Sequence, residues 1–282
     1  MKRQLISEYI AQLEMKCNPT VEFLKTGIDS MDGLMNGVAM PSLNLVISRQ
    51  ANGHSAFGLS LFKAFTLLQK IPALYCTTYL FSTDVLNSII GSELEIEVDK
   101  FNYLSAQEIK DIQRYVKEKL ENAPLFVLDT SCSFLNLLHK IEVHILKDNL
   151  RVIFIDYFQL YHNNPKISRN KIFVALHKLS VEYKIAIFLF YTLNSKKRDL
   201  NQYEPAIYEL NEFEALRKIP NTIISLFRPE YYGIKIDDSG YSTAGQAQIT
   251  ILKNDFGKTE QIYVNIKLKY NNFFVEQEKP PF

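Results

Sequence analysis

A chain of 282 residues, 47% apolar and 22% charged, has the balance of a well-filled globular protein, which excludes disorder over most of its length. Its net charge of +1 excludes a global basic field, so any contact with nucleic acid has to come from a local cluster of Lys and Arg. No run approaches the ~20 apolar residues that a membrane-crossing helix needs. Residues 1–15 lack the apolar stretch of a signal peptide. Cys17, Cys76 and Cys132 have no metal-ligand spacing; Cys76 and Cys132 sit in apolar runs and read as buried, inert thiols. A reducing, cytoplasmic setting is expected.

Leu5, Ile6, Tyr9, Ile10 and Leu13 recur at helical spacing, which predicts a short amphipathic helix over 4–15. Asn18-Pro19 is the turn signal of a connector over 17–22. Residues 1–22 are therefore expected to be a helix and connector ahead of one domain at 23–282. From there the pattern alternates. Strands are predicted at 43–48, 73–78, 125–128, 152–155 and 185–191. Helices are predicted at 56–70, 82–92, 134–147 and 172–182, with a further one opened by the capping box of Ser105 and Glu108. Apolar strands alternating with amphipathic helices indicate an α/β fold, a mainly parallel sheet covered on both faces. The tail changes character: 222–227, 246–253 and 261–267 read as strands joined by turns at 237–240 and 254–257, which predicts a more antiparallel extension.

The strand at 43–48, the loop Arg49-Gln-Ala-Asn-Gly-His-Ser55 and the helix after it have the layout of a phosphate loop. In such a loop backbone N–H groups and a helix N-terminus hold phosphates, a Lys reaches the β and γ oxygens, and a Ser or Thr hydroxyl binds Mg²⁺. The expected nucleotide-binding positions are Ser48, Arg49, Gln50, Ala51, Asn52, Gly53, His54 and Ser55. Ser48 stands where the first Gly is usual, and His54 where the Lys is. A neutral imidazole cannot replace a flexible ammonium that follows charge onto a transferring phosphate. Downstream, Asp156 ends the apolar run at 152–155 and is followed by Gln159. An Asp there closes a Mg²⁺ site with the loop hydroxyl, which makes Ser55 and Asp156 the metal positions if nucleotide binds.

Taken together, these segments resemble the C-terminal domain of DnaB-type replicative helicases. Thr26-Gly-Ile-Asp looks like that family's lead-in, Leu125-Phe-Val-Leu-Asp-Thr130 like its strand and Asp-Thr step, and Asp156-Tyr-Phe-Gln-Leu160 like its Asp-Tyr-Leu-Gln-Leu motif. Arg228-Pro-Glu-Tyr-Tyr232, then Ser242-Thr-Ala-Gly245, then Ile251-Leu-Lys253 is similar to its last block. The resemblance runs from about Thr26 to Val275. It implies a RecA-like P-loop NTPase fold, ATP and Mg as cofactors, single-stranded DNA and a ring of like subunits or a replicative helicase as partners, and a role in DNA replication. The helix at 4–15 would correspond to the linker helix that docks on a neighbouring subunit.

The departures fall on the chemistry. The family's catalytic Glu falls at Tyr79, and a phenol with pKa near 10 is a poor base at neutral pH. Its Gln after the next strand falls at Thr192. Its Lys-x-Arg finger pattern is Lys253-Asn-Asp255 here, so Lys253 survives and the finger is an acid. An arginine finger alone is worth about 10³–10⁵ in rate, so weak or absent hydrolysis is expected: a pseudo-ATPase that binds DNA or helicase partners. A divergent but active helicase, and an adaptor that mimics a helicase subunit, are the alternatives.

Two basic runs, Arg169, Asn170 and Lys171 and then Lys196, Lys197 and Arg198, follow strand ends that in the family lie towards the DNA channel. Each reads equally as a solvated surface. The five His residues are scattered, and His139 and His144 miss the i,i+4 spacing that points two ligands at one metal. No metal site on them is expected.

Overall fold

The alternating apolar strands form the centre of a nine-stranded sheet. The structure, a computed structural model, describes residues 21–78, 80–156, 169–193, 203–210, 214–237 and 240–274. In chain order the elements are β1 (Glu22–Leu24), α1 (Asp29–Met35), β2 (Val38–Met40), β3 (Ser42–Arg49), α2 (His54–Lys63, running on in a wider turn over Ala64–Leu68), β4 (Ala73–Thr77), α3 (Ser82–Leu94) and α4 (Ala106–Tyr115). They continue with β5 (Leu125–Asp129), α5 (Phe134–Asp148), β6 (Val152–Ile155), α6 (Arg169–Tyr183), β7 (Ala186–Leu193), α7 (Glu214–Lys218), β8 (Thr222–Phe227), β9 (Gln246–Asn254), β10 (Gln261–Lys267) and β11 (Asn272–Phe274).

The large sheet has the order β11-β10-β9-β8-β3-β7-β6-β4-β5. From β8 to β5 every neighbouring pair is parallel. From β8 outward to β11 the pairs are antiparallel. The antiparallel extension expected over 222–267 is present, with β8 at its inner edge also pairing parallel to β3. A short apolar run carries no direction; β8 enters parallel to β3 because a crossover through α7 precedes it.

Side chains alternate between the faces, as a period of two requires. Val46, Phe154 and Phe188 point at the face covered by α2, where Phe57, Phe62 and Phe65 complete the layer. The Phe154 and Phe188 rings stack at 5.0 Å. Leu45, Ile153 and Ile187 point the other way, onto Leu137 and Ile141 of α5 and Phe173 and Leu176 of α6. Burial on both faces is why these strands read as continuous apolar runs rather than as alternation.

The lead-in at 22–40 folds into a small unit. β1 and β2 pair antiparallel, Glu22 opposite Met40, so Glu22 begins a strand rather than ending a connector. The buried Asp32 accepts the Thr26 N–H at 2.7 Å, and the Thr26 hydroxyl accepts the Ile28 N–H at 3.1 Å, which fixes the turn into α1. Gly37 has φ +89, and a Cβ there would stand 2.5 Å from the Leu24 carbonyl oxygen, so only glycine fits. The capping box forms as expected: Ser105 N–H donates to Glu108 Oε2 at 2.8 Å, and Glu108 N–H to Ser105 Oγ at 3.3 Å. Among the described residues no helix is long and apolar enough to cross a membrane.

Candidate phosphate-loop site

β3 delivers the chain to a loop that turns through Ala51 (φ +65) and Gly53 (φ +82) into α2. At Gly53 a Cβ would lie 3.2 Å from Leu268 and from the Phe273 ring, so conformation and space both call for glycine. The first helical hydrogen bond is Phe57 N–H to the Gly53 carbonyl at 2.9 Å. Gln50 and Ala51 are exposed at the crest, and Ser55 is half-buried on the first turn of α2. The partial positive charge of the N-terminus of α2 is directed at this crest.

The loop is held by residues far away in the chain. Asn52 is fully buried. Its side-chain N–H groups donate to the carbonyls of Arg49 (3.2 Å) and Gln50 (3.3 Å) and to the Tyr232 hydroxyl (3.0 Å). Its Oδ1 accepts the Arg228 N–H at 2.8 Å, while Arg228 Nη1 donates to the Ala51 carbonyl at 2.9 Å. Burial pushes the Arg228 guanidinium below its ordinary pKa. The Arg-Pro-Glu-Tyr-Tyr block, singled out by sequence as a family mark, is therefore a clamp on the loop.

Arg49 does not face the crest. Its Nε donates to the Tyr203 carbonyl at 2.7 Å, and its Nη2 reaches both carboxylate oxygens of Glu209 at 3.0 Å. Both side chains are buried, so this cation is committed to an internal pair.

His54 is the centre of the site. Its Nδ1 lies 3.3 Å from Ser48 Oγ, and its Nε2 lies 3.4 Å from Asp156 Oδ1. The Tyr75 hydroxyl donates to the other carboxylate oxygen, Asp156 Oδ2, at 2.8 Å. Ser48, Tyr75 and Asp156 are fully buried and His54 is 7% exposed. Thr192 lies beside Ser48 in the β3–β7 register. The imidazole spans the space between the start of the loop and the acid at the end of β6. A Mg²⁺ ion needs near-octahedral oxygen ligands, most of them water, and here one oxygen of Asp156 faces a nitrogen ring and the other a phenol hydroxyl. The residues present do not fit the metal.

Other expected positions stand apart. Lys253 lies at the far end of β9, opposite Ile223 and away from the loop. Its ammonium donates to the carbonyls of Lys218 and Pro220 and lies 3.6 Å from Asp255. Arg169 opens α6, and Asn170 and Lys171 are exposed on its first turn. Tyr79, Gln159, Lys196, Lys197 and Arg198, with the helix expected over 4–15, lie outside the described residues. Among the described residues no group of three His, Cys, Asp or Glu is placed to hold a metal. Burial, with Cys132 nearby, pushes the Cys76 thiol far up, which keeps it unreactive. Sequence reasoning missed Tyr75, Glu209 and Tyr203. No local pattern marks them, since each meets its partner across 81 to 160 positions of chain.

A strand–loop–helix at the head of a parallel sheet, facing a buried acid two strands away, defines a RecA-like P-loop domain. The model of the DnaB-like helicase C terminal domain matches residues 24–275. The chain belongs to that family. Relatives include the replicative DNA helicase DnaB of Mycobacterium leprae, 18% identical over 78% of this chain and 37% of its own length. That of Haemophilus influenzae is 21% identical over 88% and 53%, and a probable replicative DNA helicase of Guillardia theta is 20% identical over 96% and 45%. The chain spans about half the length of these relatives, or less. Among solved structures, the ATPase domain of a DnaB-like helicase matches with a TM-score of 0.77 at 17% identity, over 98% of each chain. A DnaB-like replicative helicase studied with primase also gives 0.77, at 18% identity over 98% of this chain and 67% of that one. These likenesses establish the fold.

Proposed function

We propose that this chain is a DnaB-type domain that serves DNA replication, or the replication of a mobile element, as a binding or assembly partner without efficient ATP hydrolysis. The observation that carries the reading is His54, held between Ser48 and Asp156 where an ATPase needs a mobile Lys and a metal. The loop's arginine, Arg49, is locked on Glu209. What remains for a phosphate is the backbone at the head of α2, which binds anions but does not follow developing charge. The sequence adds Tyr79 in place of the water-polarising Glu and Asp255 in place of the finger. Each loss removes a separate part of phosphoryl transfer.

In this reading the partners are single-stranded DNA, met by the first turn of α6 and the 196–198 run, and like subunits or a replicative helicase in a ring. Nucleotide, if held, is a structural ligand. The decisive experiment measures nucleotide binding and phosphate release on one purified sample, with and without single-stranded DNA. Release at background level is expected in both. DNA-stimulated release that disappears in Asp156→Ala would establish a working helicase motor and remove this reading.

A further inference from the structure

We infer that the His54 ring closes the Asp156 position to Mg²⁺ and to Mn²⁺, its oxygen-seeking analogue, so that the loop takes its phosphate ligand free of that metal. The inference rests on reading this loop as a degenerate ATP site and goes beyond it: loss of hydrolysis does not by itself require loss of metal.

The argument is one of space and donors. Both oxygens of Asp156 face protein groups, Oδ2 the Tyr75 hydroxyl at 2.8 Å and Oδ1 the His54 Nε2 at 3.4 Å. A hydrated Mg²⁺ at Asp156 Oδ1 would have to displace the ring, breaking its contacts with both Asp156 and Ser48. Inward of the ring lies Phe190, with the ring centroids 6.3 Å apart, and α2 presses so close to Phe190 that a Cβ on Gly58 would come within 2.8 Å. Nor can the ring serve as the ligand itself, since Mg²⁺ selects hard oxygen donors over imidazole. The side chain thus stands in the place of the cation, bridging the loop to the acid as a metal and its waters otherwise do. A phosphate reaching the loop meets the head of α2, which suits an inorganic phosphate or a nucleoside phosphate without a divalent ion.

The test uses Mn²⁺ as the probe, read by electron paramagnetic resonance on the full chain, with and without ADP. In the wild type the protein is expected to add no bound Mn²⁺, and ADP affinity is expected to agree within twofold between Mg²⁺ and EDTA. In His54→Ala the carboxylate is uncovered, and Mn²⁺ affinity is expected to rise at least tenfold, a gain absent when Asp156→Asn is added. Wild-type Mn²⁺ binding that Asp156→Asn abolishes overturns the inference, and so does a folded His54→Ala that gains none. Should His54→Ala fail to fold, the wild-type comparison with Asp156→Asn decides alone. Phosphate release assayed alongside separates the two claims. Bound Mn²⁺ without turnover removes only this inference, whereas turnover removes the functional reading.

Discussion

Asn52 and Arg228, 176 positions apart, hold the phosphate loop from both sides: Asn52 Oδ1 accepts the Arg228 N–H at 2.8 Å, and Arg228 Nη1 donates to the Ala51 carbonyl at 2.9 Å. The loop is thereby fixed by the protein's own groups, with no demand on a bound nucleotide. Asn52→Ala removes an acceptor and two donors at a fully buried position. It leaves the Arg228 N–H without that partner, so a loss of about 1–3 kcal/mol is expected. Urea unfolding monitored by circular dichroism measures it. A variant as stable as the wild type would show that the clamp is not what orders the loop.

The Arg49–Glu209 pair makes a second claim on stability. Both side chains are buried, and the pair is bidentate at 3.0 Å. Removing one partner strands a buried charge, so Glu209→Ala is expected to cost about 3–5 kcal/mol. Replacing both by apolar groups of similar volume is expected to recover most of that loss. Denaturant titration of the two single variants and the double variant gives the answer. A Glu209→Ala that costs less than about 1 kcal/mol, the range of exposed pairs, contradicts the picture of Arg49 as sequestered.

Much of this fold was legible in the sequence because its strands are buried on both faces. The runs at 152–155 and 222–227 coincide with β6 and β8, since buried, largely apolar stretches of that length leave little choice. The pieces that did not show are short. β1, β2 and β11 have three residues each, too few for a period to appear, and α1 has seven. At the site, Ser48, His54 and Asp156 were legible as positions, from the order strand, loop, helix and acid. Their mutual contact was not: nothing in the spacing says that an imidazole at position 54 turns inward to Asp156. The pairing of Arg49 with Glu209 was equally hidden, because 160 positions separate the partners and only the folded chain brings them together.

The start of α4 carries a pH dependence of defined sign. Hydrogen bonds from Lys100, then from Ser105, hold the Glu108 carboxyl at a pKa of about 2, below its ordinary 4.5. A depressed acid contributes its full stabilisation above the ordinary value and loses it as pH falls from about 4.5 towards about 2. The first turn of α4 is therefore expected to fray across that window, ahead of the buried sheet. Amide exchange at Ser105 and Glu108 reports it. In Glu108→Gln the side-chain oxygen can still accept but no longer titrates, so the protection should become flat with pH. Unchanged pH dependence in that variant would assign the fraying to another group.

Restoring one part of a phosphate site should restore binding without chemistry. In His54→Lys a flexible ammonium replaces a ring fixed between Ser48 and Asp156, and it can reach a phosphate over the exposed crest at Gln50 and Ala51. A charge-assisted hydrogen bond is worth about 1.5–3 kcal/mol, so ADP is expected to bind about tenfold to hundredfold more tightly. Turnover is expected to stay at background, because by the family resemblance Tyr79 takes the sequence position of the water-polarising acid and Asp255 that of the finger. Calorimetric titration with ADP and a phosphate-release assay on the same sample separate the two effects. If the lysine alone brings DNA-stimulated hydrolysis, then the acid and finger positions are not what silences the site, and His54 carries the whole of the loss.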